Sequence, residues 1–351
     1  MEIMKYERRH IQDSYREEGW LSYLYEKYGD KFVQYRKAWQ DAAESKYCPP
    51  FPLEIGFELS NYCNLSCEMC YLSVRNNIPD KKRIDLDIIR KVMEESKHHN
   101  LPAVKIGSNA EAFMHPQIVE IIDLILSYDI MDVFLITNGT LLTEKIAKII
   151  VEKELARLSI SLDAATEETF KKIRGASLAE VEANIHRVIE LKKKHNTPLP
   201  YIRVTFAKQE SNIHEMEAFL EKWQGIADCV DFQDCLDYGN VDELKDIKNT
   251  DFTCSQPFQR VRVDESGNVY PCCTYYQKYH KLGNLKDHSL AELWNGKQAN
   301  ALRDSFASKT QSLACKNCFG NLKYAENKPE INRKDISMEE ETENSNISTF
   351  D

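Results

Sequence analysis

What this 351-residue chain lacks narrows it first. It has no excess of positive charge: 46 Lys and Arg stand against 56 Asp and Glu, a formal net charge of −10. That balance argues against a nucleic acid or an anionic membrane surface as partner. No run is apolar enough to cross a membrane, which takes about 20 consecutive residues. Ile118 to Ile136 comes nearest and still carries Glu120, Asp123, Asp129 and Asp132. The start, Met1 to Arg9, has no apolar core of a secretory signal, and there is no internal repeat. A soluble, cytoplasmic protein is expected. In that compartment the 11 cysteines read as metal ligands before they read as disulfides.

The length suits one large α/β domain and a smaller one. Residues 1–50 hold Trp20, Tyr23, Leu24 and Tyr25, then Phe32, Tyr35 and Trp39. The pattern predicts one or two amphipathic helices ended by Pro49 and Pro50, as a helical cap or a recognition arm. Over 51–240, strand-like runs at 53–59, 103–107, 132–137, 156–162, 201–207 and 228–233 alternate with helical patterns. Those lie near 85–98, 116–128, 143–153, 178–195 and 212–223, with Thr143 and the Ser177/Glu180 pair as start signals. Six βα units predict a parallel sheet, closed or partly closed into a barrel. Over 241–325 the alternation stops. A hairpin is expected around Asp264 to Asn268, then a helical stretch from Ser289 to Phe306. Residues 326–351, with Glu339 to Glu341, read as an acidic disordered tail.

Cys63, Cys67 and Cys70 stand at CxxxCxxC spacing directly after the strand-like Leu53 to Leu59. Three close thiolates hold three irons of a cubane and leave the fourth open, whereas ferredoxin-type sites use four. Zinc would want a fourth Cys or His nearby. The next histidines, His98 and His99, lie far along the chain.

With Met69 before its last thiol and Tyr71 after it, this loop resembles the signature loop of radical S-adenosylmethionine (SAM) enzymes. The resemblance implies a partial (β/α)6 TIM-like barrel with its chemistry at the C-terminal ends of the strands. It implies a [4Fe–4S] cluster whose open iron is chelated by SAM, reduced by a carrier such as flavodoxin or ferredoxin. One electron then cleaves SAM to methionine and a 5′-deoxyadenosyl radical that takes a hydrogen atom from a small-molecule or peptide substrate. It also implies cofactor contacts. Met69 would pack on adenine. Asn109-Ala110-Glu111-Ala112 stands where the family carries a GGEP-like turn, with Glu111 kept and the glycines and proline gone. Asn138 would line the pocket, Ser161 would offer a hydroxyl, and Arg174 would pair with the SAM carboxylate through its planar fork.

Cys254 and Cys272, with 17 residues between them, and Cys315-Lys316-Asn317-Cys318 resemble the auxiliary-cluster domain called a twitch, a trimmed relative of the SPASM domain. That implies a second [4Fe–4S] cluster on Cys254, Cys272, Cys315 and Cys318, with Cys273 able to replace Cys272. The same four thiolates would also make a structural zinc site. An electron passed to the second cluster would make the net reaction an oxidation of a sugar or aminocyclitol alcohol. Lys208, Glu210 and Asp234 are the candidate bases. The alternative is peptide modification, by thioether crosslinking or epimerisation. Cys235 shares a strand face with Asp231 and Gln233, and would return a hydrogen atom to a substrate radical or else be a small buried hydrophobe. A reading of another class is a metal-binding or electron-transfer scaffold without SAM chemistry.

Overall fold

A computed structural model describes residues 15–16, 19–44, 47–74, 80–235, 244–245, 252–272 and 274–326. Cys273 and the acidic stretch after Glu326 lie outside them. The chain enters through β1 (Tyr15–Arg16) and two helices, α1 (Gly19–Tyr28) and α2 (Asp30–Ala43). The βα alternation follows: β2 (Glu54–Phe57), α3 (Tyr71–Val74), α4 (Leu86–Lys97), β3 (Ala103–Ile106), α5 (Ile118–Leu126), β4 (Asp132–Thr137) and α6 (Glu144–Glu152). It continues through β5 (Arg157–Ser161), α7 (Glu167–Arg174), α8 (Leu178–His195), β6 (Tyr201–Lys208), α9 (Met216–Trp223) and β7 (Cys229–Asp234). The C-terminal part holds α10 (Gln256–Gln259), β8 (Arg260–Val263), β9 (Asn268–Tyr270) and β10 (Gly283–Asn284). It closes with α11 (Leu290–Trp294), α12 (Lys297–Ala307) and α13 (Leu313–Glu326).

The helices begin where short polar side chains stand. Thr143 accepts the Ile146 N–H and caps α6, and Ser177 accepts the Glu180 N–H and caps α8. The helical stretch expected from Ser289 to Phe306 forms two helices. Ser289 and Glu292 form a capping box for α11, and Gly296 then caps α12.

One ten-stranded sheet runs in the order β1-β7-β6-β5-β4-β3-β2-β8-β9-β10. The six expected strands pair in parallel. A seventh joins them: β8, the first strand of the expected C-terminal hairpin, pairs in parallel with β2, with Gly56 opposite Arg262. It covers the edge that β2 would otherwise leave open, a row of unpaired N–H and C=O groups.

The two faces of the sheet have opposite chemistry because side chains alternate along a strand. Ile55, Phe57, Val104, Ile106, Leu135, Leu158, Ile160, Val204, Phe206, Val230 and Phe232 build the main core with residues such as Ile89, Ile121, Ile150, Ile185 and Phe219 of the surrounding helices. The other face carries Glu54, Lys105, Asp132, Arg157, Arg203, Asp231, Arg260 and Arg262. At the N-terminal ends of the strands, Trp20, Leu24, Phe32 and Tyr35 of α1 and α2 pack with Ala103, Tyr201, Cys229, Phe258 and Phe306. The N-terminal helices thus floor the barrel. Among the described residues no helix is long and apolar enough to cross a membrane.

Candidate functional site

The Cys63 loop leaves β2 at the C-terminal end of the parallel strands, and polar ties hold it to the loops after β4 and β6 and to α7. Asn64 Nδ2 donates to Thr140 Oγ1 at 2.9 Å, and Asn138 Nδ2 donates to Asn64 Oδ1 at 2.9 Å. The Glu68 N–H donates to the Ile173 carbonyl, and Ser211 Oγ donates to Glu68 Oε1 at 2.8 Å. Cys67 is buried, Cys63 and Cys70 are half-buried, and none of the three is in a disulfide.

Donors are aimed at the sulfurs. Cys63 Sγ accepts from the Leu65 N–H at 3.5 Å and from Asn138 Nδ2 at 3.8 Å, and Arg174 Nη1 lies 3.9 Å from Cys67 Sγ. Burial pushes the Cys67 thiol up to about 11 against the pull of Arg174, and burial raises Cys63 as well. A metal entering here would have to displace these protons. Three thiols on one loop, with N–H groups pointing at them, fit a cluster that takes each thiolate at a separate iron. Among the described residues no three Cys, His, Asp or Glu side chains are grouped to hold a single ion.

Glu111 is buried with its carboxylate spent on the protein. Oε1 accepts from the Phe113 N–H at 3.0 Å and from Thr137 Oγ1 at 2.8 Å, and Oε2 accepts from the Asn138 N–H at 2.7 Å. It therefore ties the end of β3 to the end of β4, while burial raises its pKa against those donors. The left-handed residue of this turn is Gly107, with φ +71°, and a Cβ there would lie 3.0 Å from Ala112 Cβ and 3.2 Å from the Ile136 carbonyl. Asn109 is half-buried, and its N–H donates to Glu58 Oε2 at 3.1 Å. Met69 and Ser161 are half-buried, beside Cys70 and at the end of β5, and Asn138 is buried.

Arg174 is buried, and its fork lies on Asp163: Nε donates to Oδ2 at 3.0 Å and Nη2 donates to the same oxygen. Burial opposes its charge, and Asp163 and Cys67 sustain it. The second oxygen of Asp163 accepts the Ala207 N–H at 2.7 Å, and the Leu162 and Asp163 N–H groups donate to the Thr205 carbonyl. Asp163 escaped the sequence reading, although an Asp closing a strand with φ +64° is among the residue types that accept this conformation.

In the second cysteine set, Cys254 and Cys315 border the floor cluster that contains Phe252 and Phe306, while Cys318 packs near Tyr276 and Ala314. Cys272 Sγ lies 3.9 Å from Thr274 Oγ1. A further donor stands beside them. His280 Nε2 is 3.3 Å from Cys315 Sγ and 3.1 Å from Ser312 Oγ. Burial lowers the pKa of His280, which favours the neutral ring. Nothing in its spacing from Cys315 marked it. Cys235 follows β7 and is half-buried; Phe232 packs on Phe206 and Phe219, with centroids 5.5 and 6.0 Å away, on the opposite strand face. Of the candidate bases, Lys208 and Asp234 pair at 2.9 Å, and Glu210 is exposed.

Residues 57–206 match the Radical SAM superfamily, and residues 254–319 match the SPASM family, an iron–sulfur cluster-binding domain. The chain carries a radical SAM domain followed by a SPASM iron–sulfur domain. S-adenosylmethionine and [4Fe–4S] clusters are the cofactors of these two domains. A probable GTP 3′,8-cyclase of Methanococcus maripaludis (strain C5) is 32% identical over 160 residues, which are 45% of this chain and 51% of that protein. The antilisterial bacteriocin subtilosin biosynthesis protein AlbA of Bacillus subtilis is 24% identical over 277 residues, 70% of this chain and 60% of AlbA. The radical SAM chain thus spans about half to three fifths of the length of these relatives. BtrN, solved with AdoMet and 2-DOIA, superposes with a TM-score of 0.50 at 17% identity, covering 76% of this chain and 92% of BtrN. At that identity the likeness is one of fold.

Proposed function

We propose that this radical SAM enzyme abstracts a hydrogen atom from an alcohol carbon at the barrel mouth and completes a two-electron oxidation with a twitch-type auxiliary cluster. The observation that carries the reading is the cysteine set within the SPASM match: Cys254, Cys272, Cys315 and Cys318 can make one four-thiolate site. Cys63, Cys67 and Cys70 would hold the first cluster and the other four the second. When bound, these groups would supply a hydrogen-abstracting nucleoside radical and an acceptor for the remaining electron, and with the hydroxyl proton passed to a base such as Lys208, Glu210 or Asp234 the alcohol would leave as a carbonyl. The protein's own part is positional. Asn138 and Arg174 donate toward the cysteine sulfurs, Glu111 fixes the strand ends above the lumen, and Met69 and Ser161 stand at the mouth for the SAM adenine and hydroxyl contacts. An external one-electron carrier of the flavodoxin or ferredoxin kind would deliver the priming electron.

Turnover in heavy water tests this. Oxidation places no solvent deuterium on carbon, gives a product lighter by two hydrogens, and leaves Cys235→Ala active. One deuterium in the product, with Cys235→Ala stalled after 5′-deoxyadenosine release, would instead make Cys235 the hydrogen donor of an epimerase. Cys315→Ala with Cys318→Ala is expected to keep SAM cleavage and lose turnover; zinc in anaerobically purified protein would overturn the electron-accepting role. A second reading, peptide modification, is favoured by the similarity to AlbA over 70% of this chain.

A further inference from the structure

The barrel interior bears on which substrate this mouth takes. Among the described residues its face carries the cations Lys105, Arg157, Arg203, Arg260 and Arg262 and the acids Glu54, Glu58, Asp132 and Asp231. Most pairs are explicit: Arg157 is bidentate on Asp132 at 2.7 and 2.8 Å, Arg203 meets Asp231 at 3.3 Å, Arg260 meets Glu54 at 3.4 Å, and Arg262 meets Glu58 at 3.0 Å. In two of these pairs exposure divides by sign. The Asp132 and Asp231 side chains are each 1% exposed, while their partners Arg157 and Arg203 are 19% and 25% exposed. In these two pairs the guanidinium is the more exposed member, whereas Arg262 and Glu58 are both almost fully buried.

Three of those cations gather on one ring. Lys105 Nζ, Arg157 Cζ and Arg203 Cζ lie 5.6, 4.5 and 5.3 Å from the centre of Phe134. Lys105, Phe134 and Arg157 are register partners across β3, β4 and β5, so they form one rank of the lumen wall. Arg203 faces Ser159 in the next rank toward the mouth, and its Nε donates to Ser159 Oγ at 3.2 Å. Trp20, 5.5 Å from Arg157, closes the floor beneath. A concave site with cations outward and low-dielectric walls concentrates anions.

We propose that this rank seats an oxyanion of the substrate, a carboxylate or a phosphate, on Lys105 and Arg203 beside Phe134. The proposal rests on the barrel mouth being the reaction site, and it narrows the substrate. A free aminocyclitol, an ammonium at neutral pH, would meet charge of its own sign, whereas a sugar acid, a sugar phosphate or an acidic peptide residue would meet its complement.

Calorimetric titration of the reconstituted protein at low ionic strength with inorganic phosphate, acetate and methylammonium tests it. Phosphate or acetate is expected to bind saturably and methylammonium to give only heat of dilution. The tighter of the two anions identifies the substrate group. Lys105→Met should weaken that binding at least tenfold, Lys105→Arg should restore most of it, and Lys148→Met on exposed α6 should leave it unchanged. Arg203→Gln provides a second variant if Lys105→Met misfolds. Failure of both anions to saturate, or equal affinity in Lys105→Met, overturns the proposal. The titration needs no SAM turnover, so 5′-deoxyadenosine formation tests the catalytic reading separately.

Discussion

Replacing Cys63, Cys67 and Cys70 together by alanine is expected to lower the iron of the reconstituted protein from about eight to about four per chain, two four-iron clusters becoming one. The same variant should form no 5′-deoxyadenosine from SAM. The effect is all-or-none because the three thiols share one loop, and the donors around it, Asn138 and Arg174, offer no thiolate to substitute for sulfur. The second set stands on other elements, α13 and the segment around β8 and β9, so its iron should persist. Metal analysis with the visible absorbance of the remaining cluster reads the result. An unchanged iron content would overturn the assignment of this loop.

Arg262→Met is expected to destabilise the fold by about 3–5 kcal/mol, because it strands the Glu58 carboxylate in the interior. Both side chains of the pair are almost fully buried, at 2% and 4% exposure. Glu58 does more than balance a charge: its other oxygen accepts the Asn109 N–H, so the pair links β8 to the turn after β3. Gly56 makes room for the crossing, since a Cβ there would lie 2.9 Å from Arg262 Nη1. Gly56→Ala should therefore destabilise in the same direction. Denaturant unfolding checks both, and the double variant Glu58→Gln with Arg262→Met should recover much of the loss by removing the second charge. A change below about 1 kcal/mol in Arg262→Met would show that Glu58 finds another partner or protonates without cost.

The sequence by itself determined the features whose signal is local. Alternating apolar runs marked β2 to β7 within a few residues, because strand and helix periods are written in consecutive side chains. Thr143 and Ser177 marked helix starts for the same reason. Three thiols within eight residues, Cys63 to Cys70, limited the metal chemistry before any fold was known. Only the tertiary structure decided which distant groups satisfy one another. The hairpin strand β8 looked like part of a separate unit, yet its backbone completes the edge of β2. A buried guanidinium such as Arg174 needs a permanent counter-charge, and only the fold showed that Asp163 supplies it. His280 came to lie on Cys315 across 35 residues of chain. The cations around Phe134 come from three other strands, and no one segment's pattern reveals their convergence. Periodicity is carried by neighbours in sequence, whereas the pairing of a buried charge is set by the register of strands far apart in the chain.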